Sequence, residues 1–138
     1  MSNKKKAKKL LKRVELWQTR LFYLGIGHFQ GTLLLVDQTE GGPGALATTH
    51  VHPQYAEVVF EFTHAFLEEP QERQDEIIIH EWLHVAWRDF DRLTEDLERW
   101  MPKATFEDYT ERLTHEREGL VDSTARTLLD LYNTEVVG

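Results

Sequence analysis

The residues best suited to chemistry form one short run, His80-Glu81-Trp82-Leu83-His84. On a helix, residues four apart lie one above the other, so the imidazoles of His80 and His84 can bind one ion together. Zinc accepts neutral imidazole nitrogens and keeps one position for water in catalytic sites. The carboxylate of Glu81 would stand beside that water and take its proton. The run therefore predicts two metal ligands and a general base.

The flanking sequence places this motif at the edge of a buried helix face. Apolar residues recur along it with spacings of three and four, as on a helix that packs against a core. These residues are Ile79, Leu83, Ala86, Phe90, Leu93, Leu97 and Trp100. We therefore predict one continuous helix from near Pro70 to Trp100, with the motif beside its apolar stripe. The alternative is a surface helix with two incidental histidines.

A later segment offers further polar groups at helical spacing. A long helix is predicted from Thr105 and Asp108, which resemble a capping box, to about Tyr132. Apolar anchors on it are Leu113, Leu120, Leu128 and Leu131. A second stripe consists of Glu111, His115, Glu118, Asp122, Ala125 and Leu129. We expect the polar part of this stripe to point toward the motif, where a third ligand is needed; a solvated acidic face is the alternative.

The segment before the motif helix alternates between strand and turn signals. An amphipathic helix is predicted over residues 7–21. Strands are predicted at residues 22–27, 32–36, 45–51 and 55–62. The fold class is therefore α+β, with a small, mostly antiparallel sheet of three to four strands between the first helix and the motif helix. We expect the strand at 55–62 to be the sheet edge to which an extended peptide can add.

Composition indicates the class of protein. The 138 residues, 41% of them hydrophobic, suffice for one core, so we predict a single domain over residues 1–138. Cysteine is absent, which restricts metal ligands to His, Asp and Glu and suits a reducing compartment. Neither a signal peptide nor a segment of transmembrane length is visible. We therefore expect a cytoplasmic protein that does not contact a membrane.

The charge is unevenly distributed. The net charge is −8, yet seven of the sixteen basic residues lie between residues 4 and 13. The acidic remainder disfavours nucleic-acid binding. We predict that residues 1–13 form a solvated, partly disordered basic arm that continues into the first helix. Contact with an acidic partner, or with the chain's own acidic cleft in a latent form, is the alternative.

Two motifs in sequence order resemble a known family. The motif at residues 80–84 and the later run Glu118-Gly119-Leu120-Val121-Asp122 are similar to the gluzincin pattern, H-E-x-x-H followed by E-x-x-x-D on a later helix. A small sheet, a motif helix and a glutamate helix in this order resemble the minigluzincins and similar short metallopeptidases of phages and bacteria. The resemblance covers about residues 45–130.

This resemblance implies a zincin-like fold and roles for individual residues. One Zn²⁺ per chain would be held by His80, His84 and Glu118. Glu81 would act as general base and then as general acid on a peptide or protein substrate. Asp122 would orient a ligand histidine through its other ring nitrogen.

The sequence departs from the family pattern next to the glutamate. Arg117 stands where gluzincins usually have Asn. Glu116 and His115 are alternative third ligands. The candidates for stabilising the transition state are His115, Tyr109, His64 and Arg126. His50 and His52, two apart on a predicted strand, form a weaker candidate metal pair.

Three functions follow, and one is preferred. We predict a zinc-dependent metallopeptidase that hydrolyses peptide bonds by metal-activated water. The first alternative is a catalytically silent zincin-fold protein that binds metal and a partner. The second is a metal-free helical interaction module.

Overall fold

The computed structural model describes residues 2–88, 92, 96 and 98–137, the last four of these as backbone only. Three α-helices and three β-strands occur within them, α1 (Asn3–Arg20), β1 (Gln30–Val36), β2 (Ala47–His52), β3 (Glu57–Thr63), α2 (Gln71–Ala86) and α3 (Lys103–Val137). The predicted α+β class is confirmed. None of the described helices combines the length and apolarity needed to cross a bilayer.

The three strands form one sheet in the order β1-β3-β2. β2 and β3 pair antiparallel, joined by a 3₁₀ turn at Pro53–Tyr55, whereas β1 pairs parallel with the other side of β3. The prediction of a mostly antiparallel sheet is therefore wrong. The predicted edge strand is also wrong, because β3 is central and β2 is an edge. Alternation of apolar residues identifies a strand but carries no information about its neighbours.

Residues 22–27 do not form the predicted strand. Phe22–Leu24 is a 3₁₀ turn, which ends at Gly25 in the left-handed conformation with φ of 74°. Phe22 is largely exposed, and Ile26 alone among these residues is fully buried. A short apolar run fits a strand and a buried turn equally well, so the sequence did not separate them.

The core lies between one face of the sheet and the helices. Val58, Phe60 and Phe62 alternate along β3 and are fully buried. Trp82 of α2 packs edge-on against Phe60 with ring centroids 4.9 Å apart, and its indole N–H donates to the Val14 carbonyl of α1 at 2.9 Å. The motif helix is thus fixed on its buried side by both the sheet and α1.

The basic N-terminal segment is helical rather than a disordered arm. α1 begins at Asn3, and the Ser2 hydroxyl accepts a hydrogen bond from the Lys5 N–H. Arg13 lies 2.7 Å from Asp75 of α2. Leu10 and Val14 are buried, so the apolar face docks while the lysines remain toward solvent. Burial of this amphipathic face outweighs the repulsion among the charges.

α2 is shorter than predicted. It ends at Ala86, and the Trp87 N–H donates to the Leu83 carbonyl at 2.9 Å. Trp100 is 83% exposed in a turn, so it does not continue a buried stripe. The predicted stripe residues Phe90, Leu93 and Leu97 lie outside the described residues.

α3 presents a different face from the one the leucines indicated. It begins at Lys103, so Thr105 is not its N-cap. Leu120 is 59% exposed and Leu131 57%, whereas the buried residues are Val121, Ala125 and Leu129. Neighbouring helix positions differ by about 100° in direction. A buried face predicted from Leu120 instead of Val121 was therefore rotated by that angle from the face that is buried. The stripe that carries Glu118 and Asp122 is the one that faces α2.

Candidate metal centre

Two histidines of α2 present the same ring atom to one point. His80 and His84 are one turn apart at the partly exposed edge of the helix, next to the fully buried Ile79 and Leu83. Their Nε2 atoms lie 3.1 Å apart. Because the helix is anchored through its buried side, the relative position of the two rings is set by the backbone.

The carboxylate of Glu118 on α3 forms a triangle with the two imidazoles. Its Oε2 lies 3.5 Å from His80 Nε2, and its Oε1 lies 3.5 Å from His84 Nε2. Ligands at about 2.0–2.1 Å from a tetrahedral zinc ion stand about 3.3–3.5 Å from one another. The observed separations of 3.1 Å between the imidazoles and 3.5 Å from each imidazole to one oxygen of Glu118 are close to that spacing, so the three side chains fit a zinc ion.

Asp122 contacts the outer nitrogen of His80. Its Oδ1 lies 2.8 Å from His80 Nδ1, one helical turn beyond Glu118. A carboxylate at this distance favours a proton on Nδ1, which leaves the Nε2 lone pair directed toward the triangle. The structure thus brings together four residues of the two sequence motifs, namely His80, His84, Glu118 and Asp122.

Glu81 is buried beside the triangle and held by the sheet. Its exposed fraction is 5%, and its Oε1 accepts a hydrogen bond from the Thr49 hydroxyl at 2.7 Å. Its Oε2 lies 3.8 Å from His80 Nε2. One carboxylate oxygen is therefore fixed by β2, and the other faces the ligand histidine. Sequence reasoning missed Thr49, because its contact depends on β2 being the edge beside α2.

The histidines open into a cleft of about 530 Å³ between β2, α2 and α3. Thr49 and Val51 line the side formed by β2, and Arg88 and Arg92 line it beyond the end of α2. The lining includes no residue of α1, which docks elsewhere on α2. The structure therefore does not support a latent form in which the basic segment covers the cleft.

The alternative site residues lie elsewhere on α3. His115 is exposed, and Tyr109 is 45% exposed. Glu116 lines a separate apolar cavity together with Trp87 and Leu120. None of the three belongs to the lining of the cleft, whereas the carboxylate of Glu118 lies 3.5 Å from both motif histidines.

A second group of potential ligands lies across the sheet. His50 of β2 has its Nε2 3.3 Å from Glu61 of β3 and 3.5 Å from Glu40 of the β1–β2 connection. His52, the predicted partner of His50, is exposed and does not belong to this group. Within the described part of the chain, the compact groups of three potential ligands are this one and His80 with Glu81 and His84. Glu118 adds a carboxylate to the group at the motif, with one oxygen 3.5 Å from each imidazole.

The groups around the motif combine two functions that hydrolysis requires. Two imidazoles and a carboxylate can hold a divalent cation, and a buried carboxylate beside them can exchange a proton with water in the cleft. Comparison of the chain with protein-family models, with curated proteins and with solved structures gave no match.

Proposed function

We propose that this protein is a small zinc-dependent metallopeptidase of the gluzincin type. His80, His84 and Glu118 would hold the metal, and Glu81 would act as general base. The observation that carries the proposal is the triangle of two imidazoles and a carboxylate, with atom separations of 3.1 Å between the imidazoles and 3.5 Å from each imidazole to one carboxylate oxygen, next to a second carboxylate with one fixed oxygen. The zincin-like assignment of the fold belongs to this proposal.

The donor set favours a catalytic zinc ion. Imidazole is a preferred zinc ligand, and the chain has no cysteine that would supply the thiolates of a typical structural site. Three protein ligands leave a fourth position for water or substrate, and the ligands here face a cleft. The contact of Asp122 with His80 is the kind that orients metal-ligating histidines.

The residues around the metal position would divide the chemistry among them. Bound zinc supplies a more acidic water and a polarised carbonyl. Glu81 accepts the proton of the attacking water on Oε2, since Oε1 is occupied by the Thr49 hydroxyl. It then passes that proton to the amine nitrogen that leaves. Its 5% exposure keeps bulk water from competing for the proton.

The edge strand beside the cleft supports a peptide as substrate. β2 pairs with β3 on one side in the described sheet, and its other side borders the cleft. An extended peptide can add to such an edge through main-chain hydrogen bonds. This position replaces the strand at 55–62, which has partners on both sides.

The test is Glu81→Gln, which keeps the shape of the side chain and removes its basicity. We expect the variant to retain one zinc per chain by elemental analysis. Cleavage of a proteome-derived peptide library, followed by mass spectrometry, should fall about 10²–10⁴-fold. The matched control is Glu116→Gln, which changes an equivalent group outside the cleft and should alter neither measurement.

Each outcome identifies a different function. Unchanged cleavage by Glu81→Gln would overturn the proposed mechanism. Zinc in the wild type without cleavage of any library peptide would favour the catalytically silent metal- and partner-binding protein. A wild type that takes up no zinc, even when supplied, would favour the metal-free interaction module.

A further inference from the structure

We propose that the cleft selects peptides with a carboxylate close to the scissile bond, and that Arg88 and Arg92 bind this carboxylate. The inference rests on the proposed function and adds a substrate class to it. Both arginines line the cleft, which also contains the motif histidines. We call the part of the cleft formed by these two residues the arginine end.

Arg88 is held in position by its surroundings. Its Nη1 donates to the Val85 carbonyl at 2.9 Å, and its guanidinium lies 4.7 Å from the centre of the Phe29 ring. A guanidinium has five N–H donors, so most of them remain for a ligand. Because stacking and the hydrogen bond already restrict the side chain, little conformational entropy is lost on binding.

The arginines on the other side of the metal position already form ion pairs. Arg73 and Arg126 both contact the carboxylate of Glu76, at 3.4 and 3.3 Å. Arg73 and Glu76 line a smaller cavity that also reaches His80. In contrast, the ion pairs between described residues include neither Arg88 nor Arg92. Within the described part of the chain, the arginines on the two sides of the metal position therefore differ in whether they form ion pairs.

The carboxylates that share the cleft are occupied as well. Glu118 contacts the two histidines, and Glu81 accepts from Thr49. Among the described residues, neither guanidinium has an ion-pair partner, in a protein of net charge −8. Arg–carboxylate contacts are charge-assisted and frequently bidentate. They act at short range, whereas salt screens the repulsion between a bound carboxylate and more distant acidic groups. A peptide carboxylate is the ligand that this geometry fits.

Such a carboxylate can come from an acidic side chain or from a free carboxyl terminus. The probes are phosphinic pseudopeptides, in which a phosphinate replaces the scissile amide and binds zinc without being cleaved. The parent probe has glutamine on both sides and blocked ends. Two others place glutamate on the amino or the carboxyl side, and a fourth is the parent with a free carboxyl terminus.

Dissociation constants for zinc-loaded protein are measured by titration calorimetry, so the result does not require turnover. At least one carboxylate probe should bind about tenfold more tightly than the parent, as expected for charge-assisted hydrogen bonds. The probe that gains affinity identifies the source. Arg88→Gln and Arg92→Gln should each reduce the gain, while the control Arg73→Gln should retain it. Arg92 is exposed, so its replacement does not endanger folding.

The possible failures are distinct. Equal affinity for all four probes overturns this inference and leaves the metallopeptidase proposal intact. A gain that survives both arginine replacements also overturns it. If zinc is bound but no probe binds, the cleft is not a peptide site, and the proposed function fails together with this inference.

Discussion

The protein contains two clusters of histidine and carboxylate that look alike in composition but differ in construction. His80, His84 and Glu118 come from two packed helices, and the side chains of both histidines are about one-fifth exposed. His50 lies between Glu61 and Glu40, and the Glu40 side chain is 75% exposed on a connection between strands. The first cluster is therefore positioned by the core, and the second depends partly on a side chain that lies largely in solvent.

The clusters differ further in how they use the histidine nitrogens. Asp122 contacts Nδ1 of His80, which leaves Nε2 for a ligand position. In the second cluster the carboxylate contacts between described residues reach only Nε2 of His50, so among those residues no carboxylate holds its tautomer from Nδ1. A metal ligand needs a lone pair that no proton occupies. We therefore expect zinc at the first cluster and a hydrogen-bonded histidine at the second.

The largest effect is expected from His84→Ala. Loss of one of two imidazole ligands should reduce bound zinc from one per chain to nearly none after dialysis. Elemental analysis checks this result. The matched control His50→Ala removes the histidine of the second cluster and should leave the zinc content unchanged. Loss of zinc in His50→Ala together with full zinc content in His84→Ala would mean that the second cluster, and not the first, binds the metal.

Glu118→Gln should have the next largest effect. The amide keeps the size of the side chain but removes the negative charge, so zinc affinity should fall by more than about 100-fold, beyond the usual effect of an outer contact. Competition with a chromogenic chelator measures this affinity. The control Glu61→Gln makes the same change in the second cluster. Unaltered affinity in Glu118→Gln would exclude Glu118 as the third ligand and leave Glu81, which forms the compact group with the two histidines.

Asp122→Asn tests the contact with the outer nitrogen of His80. Removing such a contact typically lowers metal affinity about 10–100-fold, because the ligand ring loses its preferred tautomer and orientation. The same chelator competition applies, with Glu40→Gln as the control from the second cluster. An effect as large as that of Glu118→Gln would indicate that Asp122 itself binds the metal.

Local patterns predicted much of this arrangement. The three helices and three of the four predicted strands occur near their expected positions, because apolar periodicity is a property of consecutive residues. The four residues of the candidate metal centre share this advantage. His80 and His84 are four apart on one helix, as are Glu118 and Asp122 on another, so spacing alone placed each pair on a common face.

Contacts between distant elements could not be predicted in the same way. The order β1-β3-β2 depends on how the chain crosses over, and the alternation within β1 and β3 is compatible with either order. The error over the edge strand followed from this. Arg88 and Arg92 were also missed, because their role depends on the cleft that β2 forms with α2.

Thr49→Val is the smallest and most specific test, since it removes one hydroxyl from the edge strand. Valine keeps the β-branched shape, so β2 should remain paired with β3. Without the hydrogen bond at 2.7 Å, Oε1 of Glu81 loses its donor and the carboxylate can rotate away from its productive orientation. Peptide cleavage should fall about tenfold, as for loss of a hydrogen bond to a charged group, with zinc content unchanged.

The control for this variant is Thr32→Val on β1, which makes the same replacement at an exposed position away from the cleft. Initial cleavage rates and bound zinc are measured for both variants. A slower Thr49→Val enzyme with full zinc content would separate orientation of the base from metal binding, which no ligand variant can do. Equal rates in the two variants would mean that burial alone orients Glu81, and parallel loss of zinc and rate would mean that Thr49 acts through the metal centre.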